Sequence, residues 1–264
     1  MRNKLTDELA VCGIKAALAL AEYHPETINR LFLREDCFKL FTKICKKLAE
    51  RKRPYKICDN EELERICKSV HHQGVVMMIE EPLIEPLTRE DLDLWAREGK
   101  TGLILHEVGN DHNLGAIARA AAFFDAHFII VNEHDSEARL TTSAYRVAEG
   151  GMEHIVVRKI SNTAAFLKDA VQKIMVLGTD SRARQRIGDL SGIVKNWRPG
   201  ADAGELGLRK RPGIALVLGN EETGLPQNVK DNCSCLLRVP GTGNIESLNV
   251  SQAAALFLHE IYNL

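Results

Sequence analysis

The sequence predicts an α/β protein in which a small α/β domain precedes a larger domain built on a parallel sheet. In the second half of the chain, short runs that are apolar along their whole length alternate with helical stretches, which is typical of a parallel sheet covered on both faces. Near residues 81–93, two prolines and an acidic bias interrupt the pattern. We therefore predict domains at residues 1–82 and 98–264, joined by a linker at 83–97.

The small domain is predicted from a mixed pattern of helical and extended segments. The helical patterns cover residues 12–23, 38–52 and 60–69, and the extended patterns cover residues 28–35, 55–59 and 74–80.

The large domain is predicted from six strand-like runs, most of them separated by helices. The strands are predicted at 102–108, 127–132, 154–158, 173–179, 214–219 and 235–240, and helices at 114–125, 138–149 and 162–172. A long polar stretch at 182–212 breaks the rhythm, and a connection of this length is usually functional or mobile.

The bulk composition excludes several classes of protein. The net charge is −1, so no global field indicates a nucleic-acid partner, and no apolar run is long enough to cross a bilayer. The start of the chain lacks the apolar core of a signal peptide. The seven cysteines are an odd number without CxxC spacing, which favours buried thiols in a reducing cytoplasm over a metal site. We predict a cytoplasmic protein with no bound metal and no membrane contact.

Three unusual loops follow strands of the predicted parallel sheet, at 109–125, 218–227 and 239–260. Ligands of open α/β sheets bind at the carboxyl ends of the strands, so we expect the three loops to meet there. The last of them, "VPGTGNIESLNVSQAAALFLHE", is a glycine-rich polar segment that runs directly into an apolar helix. It either caps this helix or holds a ligand.

Two interpretations are open for each polar residue of these loops. Arg119 lies in the helical stretch "GAIARAAAFF" and either extends past the alanines to solvent or meets a phosphate or a reacting hydroxyl. Asn113 is placed to cap the same helix. Glu221 either complements the start of the next helix or belongs to a tight turn that exposes backbone to a ligand. Asn249, with Gln252 three residues later, resembles a capping box.

Motifs of other enzyme classes are incomplete or absent. The segment "GTGNIES" has two glycines of a dinucleotide fingerprint, lacks the third and follows the last strand. The sequence has neither a Walker-type phosphate loop nor a GxSxG nucleophile motif. A nicotinamide-dependent oxidoreductase and a serine hydrolase therefore fit poorly.

The three loops together resemble the SpoU (TrmH-type) branch of the SPOUT methyltransferases. The first family motif matches Asn113 to Arg119 with "GAIAR" between them, the second matches "LVLGNEETGL", and the third matches Pro240 followed by "SLNVSQAAA". Residues 12–35 and 71–80 resemble the small L30e-like substrate-binding domain that precedes many members. The resemblance implies a Rossmann-like SPOUT domain with a carboxyl-terminal trefoil knot at about residues 214–264, a rare exception to unknotted topology.

The resemblance also implies an activity, which is methylation of a ribose 2′-hydroxyl in structured tRNA or rRNA by S-adenosyl-L-methionine. It implies a homodimer with the active site near the subunit interface. The implied catalytic residues are Arg119, Asn113, Glu221, Ser247 and Asn249. The implied cofactor-binding residues are Thr179, Leu218, Gly219, Asn220, Val239, Pro240, Gly243, Ile245 and Leu248. Arg119 acts either as the base or as an electrostatic clamp. A catalytically silent RNA-binding protein with the same knotted fold is the alternative function.

Contact with RNA requires a local basic surface. Residues 34–56 contain nine Lys and Arg against three acidic residues, which is either a solvated helix face or a phosphate-binding surface. A second candidate comprises the arginines near 182–186 and the run at 209–211. The predicted RNA-binding residues are Lys43, Lys46, Lys47, Arg51, Arg53, Arg182 and Arg184. Because exposed aromatic residues are scarce in the sequence, we expect recognition through backbone and shape.

Overall fold

A computed structural model of the chain describes residues 8–134, 140–198 and 211–264. The chain forms two compact units. The first comprises Met1–Leu83 and Arg139–His154, and the second comprises Ile84–Ala138 and Ile155–Leu264. The segment Arg139–His154 therefore belongs to the first unit, whereas the sequence prediction placed it in the large domain.

The first unit contains a mixed sheet with strand order β1-β4-β2-β3. Strands β1 and β2 are antiparallel to β4, while β2 and β3 are parallel. The strands are β1 Glu8–Cys12, β2 Ile28–Leu33, β3 Tyr55–Ile57 and β4 Val75–Glu80, and the helices are α1 Ile14–Tyr23, α2 Phe38–Glu50 and α3 Asn60–Cys67. These elements confirm the segments predicted between residues 12 and 80. Strand β1, buried throughout, was not predicted because its five residues lead directly into the helical pattern of α1.

The second unit contains a parallel sheet. The strands are β5 Glu85–Pro86, β6 Thr101–Leu105, β7 Ala126–Asn132, β8 Val156–Ile160, β9 Met175–Thr179, β10 Gln185–Arg186, β11 Ile214–Leu218 and β12 Cys235–Arg238. The helices are α4 Arg89–Glu98, α5 Asp111–Phe123, α6 Thr142–Ala148, α7 Thr163–Ala170, α8 Leu190–Asn196, α9 Gln227–Lys230 and α10 Val250–Tyr262. Of these, α6 lies in the first unit.

The strand order of this sheet is β10-β12-β9-β11-β6-β7-β8-β5, and each pairing among its described strands is parallel. The prediction of a parallel sheet is confirmed. Strands β6, β7 and β11 lie in its interior and carry runs of Ile, Leu and Val that are almost wholly buried, as strands covered on both faces require. The two-residue strands β5 and β10 are too short to give a sequence signal.

The segment predicted as a linker, 83–97, contains strand β5 and most of helix α4. Thr88 caps α4 through a capping box with Asp91, and Gly99 ends the helix in a left-handed conformation. Trp95 is fully buried and packs on Phe128, with ring centroids 5.1 Å apart. The two prolines therefore precede a structured helix. The helix was not predicted because its apolar pattern is weak. Only two residues of α4, Leu92 and Trp95, are buried, and most of the others are charged.

Two sequence predictions extend beyond the described residues. The helix predicted at 138–149 is described from Thr142, and the polar stretch at 182–212 is described except for residues 199–210. In the described ranges, no helix is long and apolar enough to cross a membrane. Those same ranges contain no group of His, Cys, Asp and Glu side chains suited to hold a metal ion.

Candidate active site

Four neighbouring strands bring the candidate site together. Strands β12, β9, β11 and β6 are adjacent and parallel, so their carboxyl ends lie at one edge of the sheet. The backbone N–H of His106 donates to the carbonyl of Leu218 at 2.9 Å and continues the β6–β11 pairing to this edge. The loops that follow β6, β11 and β12 are the three that the sequence singled out.

Asn113 connects all three loops. Its side-chain Nδ2 donates to the carboxylate of Glu221 and to the carbonyl of Gly109, the latter at 3.2 Å. Its Oδ1 accepts from Nδ2 of Asn249 at 3.0 Å. Because the donor and acceptor ends of the amide are both engaged, these bonds fix the orientation of the Asn113 side chain. The expected convergence of Asn113, Glu221 and Asn249 is therefore observed.

The helix caps differ from the sequence prediction at one of the two asparagines. Helix α5 begins at Asp111 and is capped by Asn110, whose Oδ1 accepts from the backbone N–H of His112 at 2.9 Å. The prediction that Asn113 caps α5 is wrong. Asn113 lies three residues beyond the cap, so its side chain is available to contact the other loops.

Asn249 caps a helix and also contacts another loop of the site. It caps α10, because its Oδ1 accepts from the backbone N–H of Ser251 at 2.9 Å and from the Ser251 hydroxyl at 2.6 Å. The same amide donates to Asn113. The start of α10 is thus tied to the start of α5, and the two helices pack against each other.

The loop after β11 is a tight turn closed by backbone contact. An added Cβ at Gly219 would lie 2.6 Å from the carbonyl carbon of Gly224 and 2.7 Å from the backbone nitrogen of Leu225. No side chain fits there, because both neighbouring atoms belong to the backbone. Gly224 has φ +67°, a conformation that glycine adopts at little cost. The turn therefore depends on glycine at both positions.

Asn220 braces this turn from within. Its Nδ2 donates to the carbonyl of Glu107 at 2.9 Å, and its Oδ1 accepts from the backbone N–H groups of Glu222 and Thr223 at 2.9 and 3.1 Å. The Asn220 side chain was predicted to bind the cofactor, but its contacts here are with the loops. These contacts set the position of Glu221, the next residue.

The remaining cofactor candidates lie along the same edge. Thr179 ends β9 and donates its hydroxyl to the carbonyl of Val217 at 3.0 Å, while Leu218 ends β11 and is buried. Every residue from 241 to 249 is exposed. Within that stretch Ile245 is 71% and Leu248 39% exposed, which leaves apolar surface on an otherwise polar segment. This exposed stretch contains Gly243 and Ser247, and it directly follows Val239 and Pro240.

Arg119 lies on the exposed side of α5. Helical spacing places Ala116, Ala122 and Phe123 on the face of α5 that carries Arg119. Phe123 is 80% exposed. An exposed arginine is compatible with both interpretations that the sequence left open.

Comparisons with known proteins decide the family. A model described as the SpoU rRNA Methylase family matches residues 100–259. The chain belongs to the SpoU methylase family. A second model, described as RNA 2′-O ribose methyltransferase substrate binding, matches residues 10–84.

Relatives of this SpoU family member include rRNA methyltransferases from several bacteria. The chain is 30% identical to the 23S rRNA (guanosine-2′-O-)-methyltransferase RlmB of Acinetobacter baylyi, over 94% of each protein. It is 27% identical to RlmB of Bordetella pertussis, over 95% of each. The solved SpoU methyltransferase AviRb from Streptomyces viridochromogenes, in complex with the cofactor AdoMet, has a TM-score of 0.73 at 19% identity, covering 100% of this chain and 93% of its own.

The basic residues of the first unit are not equivalent. Lys43 and Lys46 are exposed on α2, and Lys47 is half-buried there. Arg51 donates to the carbonyl of Pro25 at 3.2 Å. Arg53 donates to the carbonyls of Glu26, at 3.0 Å, and Ile28. Arg53 therefore holds the turn before β2, which leaves the lysines as the better candidates for phosphate contact.

The arginines of the second candidate RNA-binding surface, near 182–186 and at 209–211, are not equivalent either. Arg182 and Arg184 are exposed on the loop after β9, and Arg182 lies 3.7 Å from the carboxylate of Glu246 in the third loop. The guanidinium of Arg211 points inward and donates to the carbonyl of Ile261 at 2.9 Å and to the hydroxyl of Thr101 at 2.8 Å. Burial lowers the pKa of Arg211. Arg211 is a structural residue, and Arg209 and Lys210 lie outside the described residues.

Three features at this edge, two backbone conformations and one ion pair, gave no usable sequence signal. Glu107 and Asn110 adopt positive φ of 54° and 75°, which shapes the loop before α5. Asp180 pairs with Lys230 at 2.8 Å across fifty residues of sequence. Burial acts to raise the pKa of Asp180, but hydrogen bonds from Lys230 and from the backbone of Arg182 outweigh it and hold that pKa below its usual range.

Proposed function

We propose that this chain transfers a methyl group from S-adenosyl-L-methionine to a ribose 2′-hydroxyl of tRNA or rRNA. The observation that carries the proposal is the hydrogen-bonded set Asn113, Glu221 and Asn249, which joins three loops at the carboxyl edge of the sheet. A polar cluster at that edge is where an open α/β sheet binds its ligand. The named activity of the RlmB relatives supports the choice of a ribose hydroxyl in rRNA.

The donor set at this edge fits the proposed cofactor. Residues 241–249 are exposed and contain the apolar side chains of Ile245 and Leu248. Exposed backbone N–H and C=O groups suit the polar edge of an adenine, and the apolar side chains suit its faces. We propose that Thr179, Leu218, Gly219 and the segment 239–248 hold the cofactor within a trefoil knot at about residues 214–264. When bound, the cofactor supplies a methyl group that its sulfonium already activates.

Arg119 is the proposed catalytic cation. The guanidinium of an arginine carries a positive charge and five N–H donors, and Arg119 is exposed on α5. It therefore stabilises the negative charge that develops on the ribose oxygen and binds the adjacent phosphate, as cations do at developing alkoxides. This function corresponds to the electrostatic clamp rather than to the base.

The other site residues position the reactants. Asn113 and Glu221 are hydrogen-bonded to each other, and Asn249 holds Asn113 from the third loop. We propose that this set orients the ribose and Arg119, with Ser247 contributing a hydroxyl from the loop before α10. Fixed geometry of this kind supplies much of the acceleration of a transfer between two bound reactants.

A second copy of the chain is the proposed partner of the α5–α10 surface. Phe123, Phe124, His259 and Tyr262 form a cluster of rings at the ends of these helices, with neighbouring centroids 5.0 to 6.0 Å apart. Phe123 is 80% and Tyr262 58% exposed, and solvent-exposed aromatic clusters mark association surfaces. Since Phe123 lies one turn from Arg119, a homodimer formed here places the active site near the interface.

The proposed function is tested by cofactor binding and by the position of the product methyl group. We expect the purified protein to bind S-adenosyl-L-methionine in a calorimetric titration. RNA from cells that contain the protein should carry a 2′-O-methyl group that RNA from cells without it lacks. A protein that binds RNA but no S-adenosyl-L-methionine would instead be the catalytically silent alternative.

Reversing two charges on α2 should weaken RNA binding and its dependence on salt. Each phosphate contact contributes a slope of roughly −0.7 to −0.9 to the logarithm of affinity against the logarithm of salt concentration. Lys43→Glu with Lys46→Glu should therefore reduce the slope by about 1 to 2, because both side chains are exposed and point from one face of the helix. Filter binding of RNA over a range of salt concentrations measures this slope.

The matched control is Lys168→Glu with Lys195→Glu, which makes the same change in net charge on exposed positions of α7 and α8. It should leave the slope nearly unchanged. Equal slopes for the wild type and the α2 variant would exclude α2 as a phosphate-binding surface. Arg53→Glu is unsuitable for this test because it breaks the hydrogen bonds to Glu26 and Ile28.

A further inference from the structure

Strand β3 presents an exposed aromatic residue at the edge of the first sheet. It is the last strand in the order β1-β4-β2-β3, and its residues Tyr55, Lys56 and Ile57 are all exposed. Tyr55 is 42% and Ile57 43% exposed. Alternation along a strand places these two side chains on one face, while Lys56 on the other face pairs with Glu62 at 2.6 Å. An edge strand therefore shows an aromatic and an aliphatic side chain to solvent.

The face that carries Tyr55 is also the face of the basic helix α2. The rings of Tyr55 and Phe38, the first residue of α2, have centroids 6.4 Å apart. Helical spacing places Lys39, Lys43 and Lys46 on one exposed stripe of α2, together with Glu50. The run Arg51–Arg53 comes just before Tyr55 in the chain, and the guanidinium groups of its two arginines donate to backbone carbonyls.

We propose that Tyr55 is a stacking platform for an unpaired base of the substrate RNA, with the adjoining phosphates held by the lysines of α2. The inference rests on the proposed function, since it takes RNA as the substrate. Positive charge alone accounts for phosphate contact but not for an exposed ring among the charges. The faces of bases in an RNA duplex are covered by the neighbouring base pairs, whereas unpaired bases can stack on aromatic side chains. The surface therefore selects RNA with a loop or bulge.

The test compares two RNA probes that differ only in base pairing. One is a hairpin with an unpaired loop that carries the fluorescent base 2-aminopurine, and the other is a fully paired duplex with the same number of phosphates. Tyr55→Ala should weaken binding of the hairpin by about 5- to 150-fold, the range that loss of one stacked base produces. Binding of the duplex should be unchanged, and the salt dependence should keep the wild-type slope because no phosphate contact is lost.

Two matched variants separate stacking from general surface effects. Tyr55→Phe keeps the ring and should keep wild-type affinity and the quenching of 2-aminopurine fluorescence. Ile57→Ala removes a neighbouring apolar side chain of similar exposure from the same face, but it has no ring, so it should bind the hairpin like the wild type. All variants change exposed positions, and thermal unfolding verifies that each is folded.

Several outcomes would overturn the proposal. They are an unchanged affinity of Tyr55→Ala for the hairpin, an equal loss for the duplex, and an equal loss in Ile57→Ala. If the wild type methylates RNA while Tyr55→Ala binds normally, only the stacking inference fails. If the wild type binds neither probe and no S-adenosyl-L-methionine, the proposed function fails with it.

Discussion

Replacing Arg119 by alanine should reduce methyl transfer by at least about 10²–10³-fold while the affinity for S-adenosyl-L-methionine stays at the wild-type value. That factor is typical for the loss of one group that stabilises a developing oxyanion. Arg119 is exposed on α5, and the proposed cofactor residues lie on other segments, at the ends of β9 and β11 and in residues 239–248. The substitution should therefore lower the rate of methyl transfer without changing the affinity for the cofactor.

Single-turnover transfer of a labelled methyl group measures the rate, and calorimetry measures cofactor binding. Arg119→Lys keeps the charge but loses the planar, two-pronged geometry, so it should lie between the wild type and the alanine variant. Because Arg119 shares its helix face with Phe123, sedimentation must show that the variant has the oligomeric state of the wild type. Wild-type turnover in Arg119→Ala would remove Arg119 from the mechanism.

The sheet and the core of the site were predictable because both depend on rules that are local in sequence. Runs such as "IALVL" in β11 are apolar throughout, and only strands covered on both faces need that pattern. Once the strands are parallel, loops that follow adjacent strands must meet at one edge. The contact of Asn113 with Glu221 and Asn249 follows from this geometry, although the residues are more than a hundred positions apart.

The features that the sequence did not yield depend on distant partners or on backbone conformation. The sequence does not distinguish Arg211 from the other basic residues of the run 209–211, and only the hydrogen bonds to Ile261 and Thr101 show that its guanidinium points inward. Asn110 and Asn113 are both asparagines, so the sequence does not show which of them caps α5. The helix begins at Asp111, and Asn110 is therefore the cap. The segment Arg139–His154 belongs to the first unit because of tertiary contacts, such as the 2.7 Å ion pair between Lys15 and Glu149, which the sequence does not reveal.

The turn after β11 should be as sensitive to substitution as Arg119, the proposed catalytic residue, for a steric reason. Gly219→Ala places a methyl group 2.6 to 2.8 Å from backbone atoms of Gly224 and Leu225, and backbone atoms cannot rotate away as a flexible side chain can. The turn must open, which we expect to lower the free energy of unfolding by about 1–3 kcal/mol, the usual cost of overpacking. Denaturation in urea measures this change.

The same substitution should also slow catalysis in the protein that remains folded. Opening the turn moves Asn220 and Glu221, and with them the hydrogen bond from Asn113 to Glu221 that joins two of the loops. A displacement of about 1 Å in a positioned group can cost roughly 10²-fold in rate, so methyl transfer should fall by about that factor even where the protein is fully folded. Cofactor affinity should fall as well, because Gly219 and Leu218 form part of the proposed cofactor site.

Gly192→Ala is the matched control for the steric argument. Gly192 lies within α8, and a Cβ added there meets nothing within 4 Å. Alanine is favoured over glycine in a helix by up to about 1 kcal/mol, so this variant should be as stable as the wild type or slightly more stable, with unchanged activity. If Gly219→Ala behaved like Gly192→Ala in both measurements, the turn would have to relax without moving Glu221. The steric argument that links a side chain at position 219 to the position of Glu221 would then be wrong.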